Sequence, residues 1–416
     1  MKKKIWIWNH YAAKMFIQQG GRHYWFAKYL VRAGYDVSIF CASSVHGNDY
    51  NLNQKNELYT EQECDGFHFV FVRTDSYLGN GMNRVKNMIQ FYKNVQRVAK
   101  KLEWKSGKPD VVLASSVHPL TLVAGIKYCK TIKVPCVCEV RDLWPASIVA
   151  YSSKLSERNL LIKLLYQGEK WIYKKANALI FTMEGGRQYI LDKGWNKEQG
   201  GPVDLNKVYY INNGVDLEAY DYNKNHNTFA DVDLDDRETI KVMYTGSIRK
   251  ANTSVLILPE VARALQSLGR NDIKILVYGK GDYEDELCRK CNAEGLRNIV
   301  FKGFVEKNYI PYVLSKADIN ILNCADSDVS KYGGSQNKLF EYLASGKPIL
   351  SAEESRYSII NNEQCGISRN YQDAQDIAET IIALTKQTHN EHHVRAVGEC
   401  YDFKKHTERL ISILEN

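Results

Sequence analysis

The sequence predicts an α/β protein built from two doubly wound, Rossmann-like domains. Short runs of branched residues alternate with amphipathic helical patterns along most of the chain, the signature of parallel sheets covered on both faces. The alternation restarts once, after a polar and acidic stretch at 212–239. The length of 416 residues also exceeds what one ordinary core organises.

The first strand is Lys4–Trp8, a four-residue apolar run behind a basic tip and too short for a leader or a membrane span. Strands then fall at Asp36–Cys41, Phe67–Arg73, Val111–Ser115, Cys136–Val140, Ala178–Thr182 and Val208–Ile211. Helical patterns such as "GGRHYWFAKYLVRAG" and "LTLVAGIKYCK" separate them. The second series is Ile240–Tyr244, Ile273–Tyr278, Ile299–Phe301, Ile319–Leu322, Pro348–Ser351 and Cys365–Ser368, with "VLILPEVARALQSLG" among its helices. The acidic stretch 212–239 reads as the linker. The expected domains are 1–205, completed by a terminal helix at 402–416, and 206–400. Ligands of open parallel sheets bind beyond the carboxyl ends of the strands, so the expected active site is a cleft that both domains face.

Composition narrows the function. With 44% hydrophobic and 25% charged residues, the chain reads as a soluble globular protein. Most of its ten cysteines sit inside apolar runs, which suits reduced thiols in the cytoplasm. Cys288 and Cys291 form a CxxC without the second pair that structural zinc would want. The net charge of +8 is uneven. Between positions 82 and 108, Arg84, Lys86, Lys93, Arg97, Lys100, Lys101, Lys105 and Lys108 face the single acid Glu103, interleaved with Met88, Ile89, Phe91, Tyr92, Val95, Val98, Leu102 and Trp104. Such a basic amphipathic helix either meets anionic lipid headgroups or packs on a core with its charges in water.

The candidate site residues lie just past strand ends. Gly20 and Gly21 precede a helix, where free amides attract phosphate. Gly246 and Ser247 end the second domain's first strand, and Arg249 and Lys250 follow with charge suited to a diphosphate. Gly279 and Gly281 follow another strand, as a turn or as a surface for a base. In "GGSQNKLFEYLASGKPIL" (333–350), Ser335 is placed to cap a helix that Gly346 and Pro348 end. Leu339, Phe340 and Leu343 face inward, while Lys338 and Glu341, three apart, share a face. A carboxylate accepts two hydrogen bonds and so holds the vicinal hydroxyls of a ribose; the alternative is a surface ion pair. His118 lies past a strand end before a helix, and Glu139, Arg141, Asp142 and Trp144 gather at the next.

These segments resemble the retaining glycosyltransferases of the GT-B fold in the large family numbered four. "KLFEYLASGKP" fits the family's K-x-x-E-Y-L-A-x-G-x-P phrase, which implies that Glu341 binds the ribose. "INNGVDLEAY", "GKGDYEDEL" and "FKGFVEKNYIPYVLSKADI" match three further segments. "EVRDLWPAS" resembles bacterial enzymes of O-antigen and capsule synthesis, some of which transfer N-acetylated 6-deoxy sugars such as N-acetylfucosamine. The resemblance implies a donor site of Gly20, Gly21, Gly246, Ser247, Gly279, Gly333, Gly334, Ser335, Asn337, Lys338, Leu339 and Glu341. It implies catalytic roles for His118, Arg249 and Lys250, and an acceptor side at Glu139, Arg141, Asp142 and Trp144. The chain departs from the family at Gly333, where a glutamate is usual, and at Ser247, where an arginine is usual.

The implied reaction moves a sugar from a nucleotide diphosphate, UDP by analogy with the subgroup, to a lipid-linked or saccharide acceptor with retention. Arg249, Lys250 and the amides at Gly20–Gly21 would stabilise the leaving diphosphate, with no metal or other cofactor. The helix at 82–108 would dock the protein on the inner membrane face. Other readings stay open. A same-fold epimerase would bind the donor without an acceptor. A nucleotide-sugar-binding scaffold would bind without turnover, as the Gly333 and Ser247 departures allow. A nucleic-acid binder would show salt-sensitive binding to oligonucleotides but not to anionic vesicles.

Overall fold

The structure, a computed structural model, describes residues 2–46, 48–55, 57–79, 81–116, 118–150, 156–249, 253–323 and 329–416. It divides into two compact units, residues 1–212 with 403–416, and residues 213–402.

The first unit holds an eight-stranded sheet of β1 (Lys4–Asn9), β2 (Asp36–Ala42), β3 (Tyr59–Cys64), β4 (Phe67–Val72), β5 (Val111–Ser115), β6 (Cys136–Val140), β7 (Ala178–Phe181) and β8 (Val208–Tyr210), in the order 3-4-2-1-5-6-7-8. All neighbours are parallel except β3, which runs antiparallel to β4. Sequence patterning overlooks β3 because "YTEQEC" is polar, as suits an edge strand exposed to water. The helices are α1 (Ala13–Gln18), α2 (Arg22–Arg32), α3 (Met82–Ser106), α4 (Pro119–Ile132), α5 (Ala146–Ala150), α6 (Leu160–Lys175) and α7 (Gly186–Asp192).

Both faces of the central strands are buried, which is why they read as unbroken apolar runs. On one face Trp8 packs against Tyr128 of α4, with ring centroids 5.4 Å apart. On the other, Ile5 and Ile7 join Phe26, Leu30, Phe403 and Leu410.

The second unit holds a six-stranded, all-parallel sheet of β9 (Ile240–Thr245), β10 (Ile273–Tyr278), β11 (Ile299–Gly303), β12 (Ile319–Asn323), β13 (Ile349–Ser351) and β14 (Gly366–Ser368), in the order 11-10-9-12-13-14. Its helices are α8 (Leu217–His226), α9 (Val232–Asp235), α10 (Thr253–Leu256), α11 (Leu258–Ser267), α12 (Glu284–Ala293), α13 (Ile310–Ser315), α14 (Asn337–Ser345), α15 (Ile359–Asn362), α16 (Ala374–Thr385) and α17 (Glu391–Glu399). The last helix, α18 (Phe403–Glu415), belongs to the first unit. Its Phe403 meets Phe26 of α2 at 5.6 Å between centroids, and its end accepts a hydrogen bond from Lys3 Nζ at Leu414 O, 3.2 Å.

Two expectations need correction. The division falls at 212/213 rather than 205/206, because β8 pairs with β7 (Leu179 with Val208) and completes the first sheet. The acidic stretch is no linker. From residue 213 it is part of the second unit, carrying α8 and α9 with Tyr220 and Leu234 buried. Its acidity has partners: Asp231 and Asp233 receive Lys302 Nζ at 2.7 and 2.6 Å, and Lys274 reaches Asp233 at 3.2 Å.

A candidate nucleotide-sugar site

The expected residues fall into two groups, one at the carboxyl end of each sheet. In the first unit, β1 ends at Asn9 and leads into His10, β5 ends at Ser115 shortly before His118, and Glu139 lies in β6. These strand ends gather a buried polar cluster.

Glu139 is its centre. The carboxylate is fully buried and accepts hydrogen bonds from Arg22 Nε (2.7 Å), His23 Nε2 (2.9 Å) and Ser115 Oγ (2.7 Å). Burial would raise its pKa, but Arg22 and His23 outweigh that and hold it below the carboxylate range. Arg22 also donates to the carbonyls of Ile211 (2.9 Å) and Asn212 (2.5 Å), tying the start of α2 to the chain leaving β8. Glu139 is thus corrected from an acceptor-side residue to an internal anchor: it has no exposed surface, and these partners occupy its oxygens.

His118 is 1% exposed and stands at the N-cap of α4 without capping it. Its Nε2 lies 2.5 Å from Nδ1 of His10, whose Nε2 lies 2.7 Å from Asn87 Oδ1. The Asn87 amide nitrogen donates to the carbonyl of Asp75 (2.6 Å) and to Ser44 Oγ (2.8 Å), so its oxygen faces His10. The protons follow in sequence. His10 donates from Nε2 and accepts at Nδ1; His118 donates from Nε2, and its Nδ1 is left a bare acceptor, buried and without a partner. Burial lowers the pKa of both rings, helped by His118 for His10 and by Arg84 for His118, which falls to about 3. Both are neutral at pH 7.

The rest of this group is more open. Gly21, at φ 97°, supplies the left-handed turn into α2, and a Cβ there would press on Met15 at 3.2 Å. The amide of Gly20 is already spent on Met15 O (3.2 Å) and is not the free phosphate donor expected. Arg141 and Trp144 are half-buried and Asp142 is exposed. Nε of Arg141 is buried without a partner.

In the second unit, the turns after β9 and β10 touch backbone to backbone. A Cβ on Gly279 would lie 1.7 Å from Gly246 O, and one on Gly281 would lie 1.9 Å from Ile248 O. Of the two readings of Gly279, a turn or a surface for a base, this close approach accounts for the glycine by the first: it lets the two turns meet. Gly246 and Ser247 are exposed, as is Arg249. Lys250 lies outside the described residues.

Helix α14 carries the other candidates. Ser335 does not cap it: the N-cap is Gln336, no side chain caps the helix, and Ser335 O accepts from Asn213 Nδ2 at 2.5 Å. Gly346 closes it at φ 79° as expected. Leu339, Phe340 and Leu343 are buried, and Tyr342 reaches the end of β9 by accepting from Thr245 N at 3.0 Å. Asn337 is exposed. Lys338 Nζ lies 4.3 Å from the ring centre of Tyr244, while the ion pair of Glu341 is with Lys307 at 2.6 Å. The two expected partners thus turn to different neighbours. Gly333 sits at φ 93°, so the backbone itself asks for glycine there. A Cβ on Gly334 would lie 2.9 Å from a carboxylate oxygen of buried Glu353, and these two residues line one small pocket with Leu339 and Tyr357.

An Asp-x-Asp spacing of the kind that holds metals does occur, at Asp231 and Asp233, but lysines hold both carboxylates. Sequence reasoning missed His10, Arg22, His23 and Asn87. The signal available for two of them was the adjacent pair Arg22-His23 opening a helix whose next four residues are aromatic or apolar, much as Lys338 and Glu341 stand out on α14.

Comparison with known proteins finds two family models, one along each part of the chain. Residues 24–219 match the family model described as Glycosyltransferase Family 4, and residues 239–387 match Glycosyl transferases group 1. A Bacillus subtilis (strain 168) protein named as a teichuronic acid biosynthesis glycosyltransferase, TuaH, is 27% identical over 219 residues, which are 51% of this chain and 49% of that one. The chain thus matches about half the length of this curated relative. Among solved structures, HepE of Anabaena in complex with UDP aligns at TM-score 0.62 with 13% identity, covering 99% of each chain. Sucrose-phosphate synthase of Thermosynechococcus elongatus aligns at 0.63 with 15% identity, over 100% of this chain and 97% of that one. A trehalose-6-phosphate protein of E. coli bound with UDP-2-fluoro glucose aligns at 0.69 with 10% identity, over 100% and 99%. At such identities the likeness is one of fold.

Proposed function

Because the chain carries a Glycosyltransferase Family 4 domain and a Glycosyl transferases group 1 domain in a GT-B fold, we propose that it is a retaining glycosyltransferase. It moves a sugar, in our reading an N-acetylated 6-deoxyhexose, from UDP to a lipid-linked or saccharide acceptor of a bacterial surface polysaccharide. The observation that carries this reading is α14: a helix whose start no side chain caps, with Gly333 and Gly334 before it and Glu341 on its half-exposed side. Uncapped amides suit a phosphate or sugar oxygen, and the carboxylate suits ribose hydroxyls. Arg249 supplies exposed charge for the leaving diphosphate, and no metal takes part. His118, held neutral with a bare Nδ1, accepts a hydrogen bond from a sugar hydroxyl. TuaH and the UDP-bound neighbours support the choice of polymer and nucleotide.

We further read the protein as peripheral to the inner membrane face. Lys86, Lys93, Arg97, Lys100 and Lys101 of α3 are all exposed, which suits anionic headgroups. Among the described residues, no helix is long and apolar enough to cross a membrane.

Melting temperature with UDP, GDP, ADP, CMP and dTDP tests the donor site. A ligand that binds only the folded state at about 100 times its Kd stabilises by about 2.7 kcal/mol. UDP is expected to raise the melting point of the wild type and not that of Glu341→Ala. If no nucleotide shifts the wild type, the donor site is wrongly placed; binding without turnover of any UDP-sugar favours the scaffold.

A further inference from the structure

Helix α3 is where the sequence offers a membrane an apolar face, yet the structure spends most of that face. Met88, Phe91, Val95, Val98 and Leu102 are buried in the first unit. What α3 shows to water is its lysines and arginines, with Met82, Val85 and Ile89 near its start and Trp104 near its end. Charge alone gives a salt-sensitive attachment.

Helix α6 has the opposite arrangement. It buries Ile162, Tyr166, Glu169, Ile172 and Tyr173, and leaves Leu160 (77%), Leu161 (62%) and Leu164 (65%) largely exposed with Trp171 beside them. Leu160, Leu164 and Trp171 fall within about 40° of one another on a 3.6-residue helix, at the middle of the water-facing side. A water-facing helix ordinarily has its charges there. Here the charges are exposed Lys163 and Lys174 on one flank and Lys175 on the other. The acids nearby are already engaged. Glu169 is buried between the hydroxyls of Tyr173 and Tyr189, and Glu157 takes Lys193 at 2.9 Å. Helix α3 packs on α4 and α4 on α6, so the three lie side by side. Between the outer two, α4 exposes Lys127 and Lys130.

We propose that α6 is the inserting element of a membrane-docking face, seating Leu160, Leu164 and Trp171 among the acyl chains of an anionic bilayer while α3 supplies long-range attraction. An apolar stripe rimmed by lysines, with no free acid among them, fits a lipid surface of negative headgroups. The inference rests on the reading that the protein works at a membrane face, and adds to it the salt-resistant part of the binding and the residues that make it.

The test is flotation of the full chain with vesicles of phosphatidylglycerol and phosphatidylethanolamine, at low salt and at about 0.5 M salt, where the Debye length falls to a few ångströms. Four proteins are compared: wild type, L160E/L164E, K93E/K100E and W171F. Wild type is expected to keep a bound fraction at high salt. L160E/L164E should melt like wild type and bind at low salt, but weaken at least tenfold at high salt. K93E/K100E should lose mainly the low-salt binding. Brominated lipids should quench wild-type tryptophan fluorescence, and W171F should lose most of that quenching. Unchanged salt-resistant binding by L160E/L164E, or undiminished quenching in W171F, overturns the proposal while the membrane reading stands. No vesicle binding by wild type at either salt overturns both. A wild-type dimer that L160E/L164E converts to monomer assigns the stripe to a second copy and also overturns it.

Discussion

Nε2 of His118 lies 2.5 Å from Nδ1 of His10, and both rings are buried and neutral. In an unfolded chain these rings take a proton near pH 6.5; folded, His118 resists until about pH 3. The folded state therefore binds fewer protons over that window. Its stability is full above pH 6.5 and falls as the pH drops towards 3, by up to about 1.4 kcal/mol per pH unit for this ring. Urea unfolding between pH 7 and 4 should show the decline, and His118→Gln should flatten it.

Glu169 works in the opposite sense. Burial raises its pKa to about 8, against the hydrogen bonds from Tyr173 and Tyr189. The folded state then holds a proton that the unfolded state has released above pH 4.5. This contribution is full below pH 4.5 and is lost as the pH rises to 8, amounting to at most about 5 kcal/mol. Glu169→Gln should be more stable than wild type at pH 8.5 and indistinguishable from it near pH 4.5.

Removing the charge of Glu139 strands Arg22 in the interior. Glu139→Gln is expected to cost about 3–5 kcal/mol, read as a lower urea midpoint. The double change Arg22→Met with Glu139→Leu should recover much of that loss, because the cost lies in the orphaned charge.

Gly279 and Gly34 both have positive φ but differ in surroundings. A Cβ at Gly34 meets nothing within 4 Å, while one at Gly279 meets Gly246 O at 1.7 Å. Gly34→Ala should cost about 1 kcal/mol for backbone strain alone. Gly279→Ala should cost about 3 kcal/mol or more, since two strand-end turns must part. Thermal unfolding of the two variants compares them directly.

Lys307, itself 64% exposed, pairs with Glu341 through a bond that water weakens. On the proposed reading of Glu341, a ribose would have only this weak pair to displace. Lys307→Ala should shift the Kd for UDP by less than about fivefold, and Glu341→Ala should weaken it by more than tenfold, both read by titration calorimetry.

The central strands were legible because parallel strands buried on both faces leave unbroken apolar runs; β3, half in water, has none and went unread. Glu341 and Arg249 could be read as candidates because short-range patterns place them: a charge on an apolar helix, a cation just past a strand. The His10–His118–Asn87 and Arg22–Glu139–His23 clusters could not. Their members come from segments far apart in sequence, and no local period records which side chains meet at the end of a sheet. The tie between Glu341 and Lys307, rather than Lys338, was hidden for the same reason.

The placement of α18 sets an order of assembly. A ribosome releases the second unit, residues 213–402, before the piece that the first unit still lacks. At about 5–20 residues per second, making that unit takes on the order of 10–40 s, and through that time the α2 face with Phe26 and Leu30 still waits for Phe403 and Leu410 to cover it. The half of the protein that is made first is the half that is finished last, and in the interval its open side is where a chaperone would be expected to hold it.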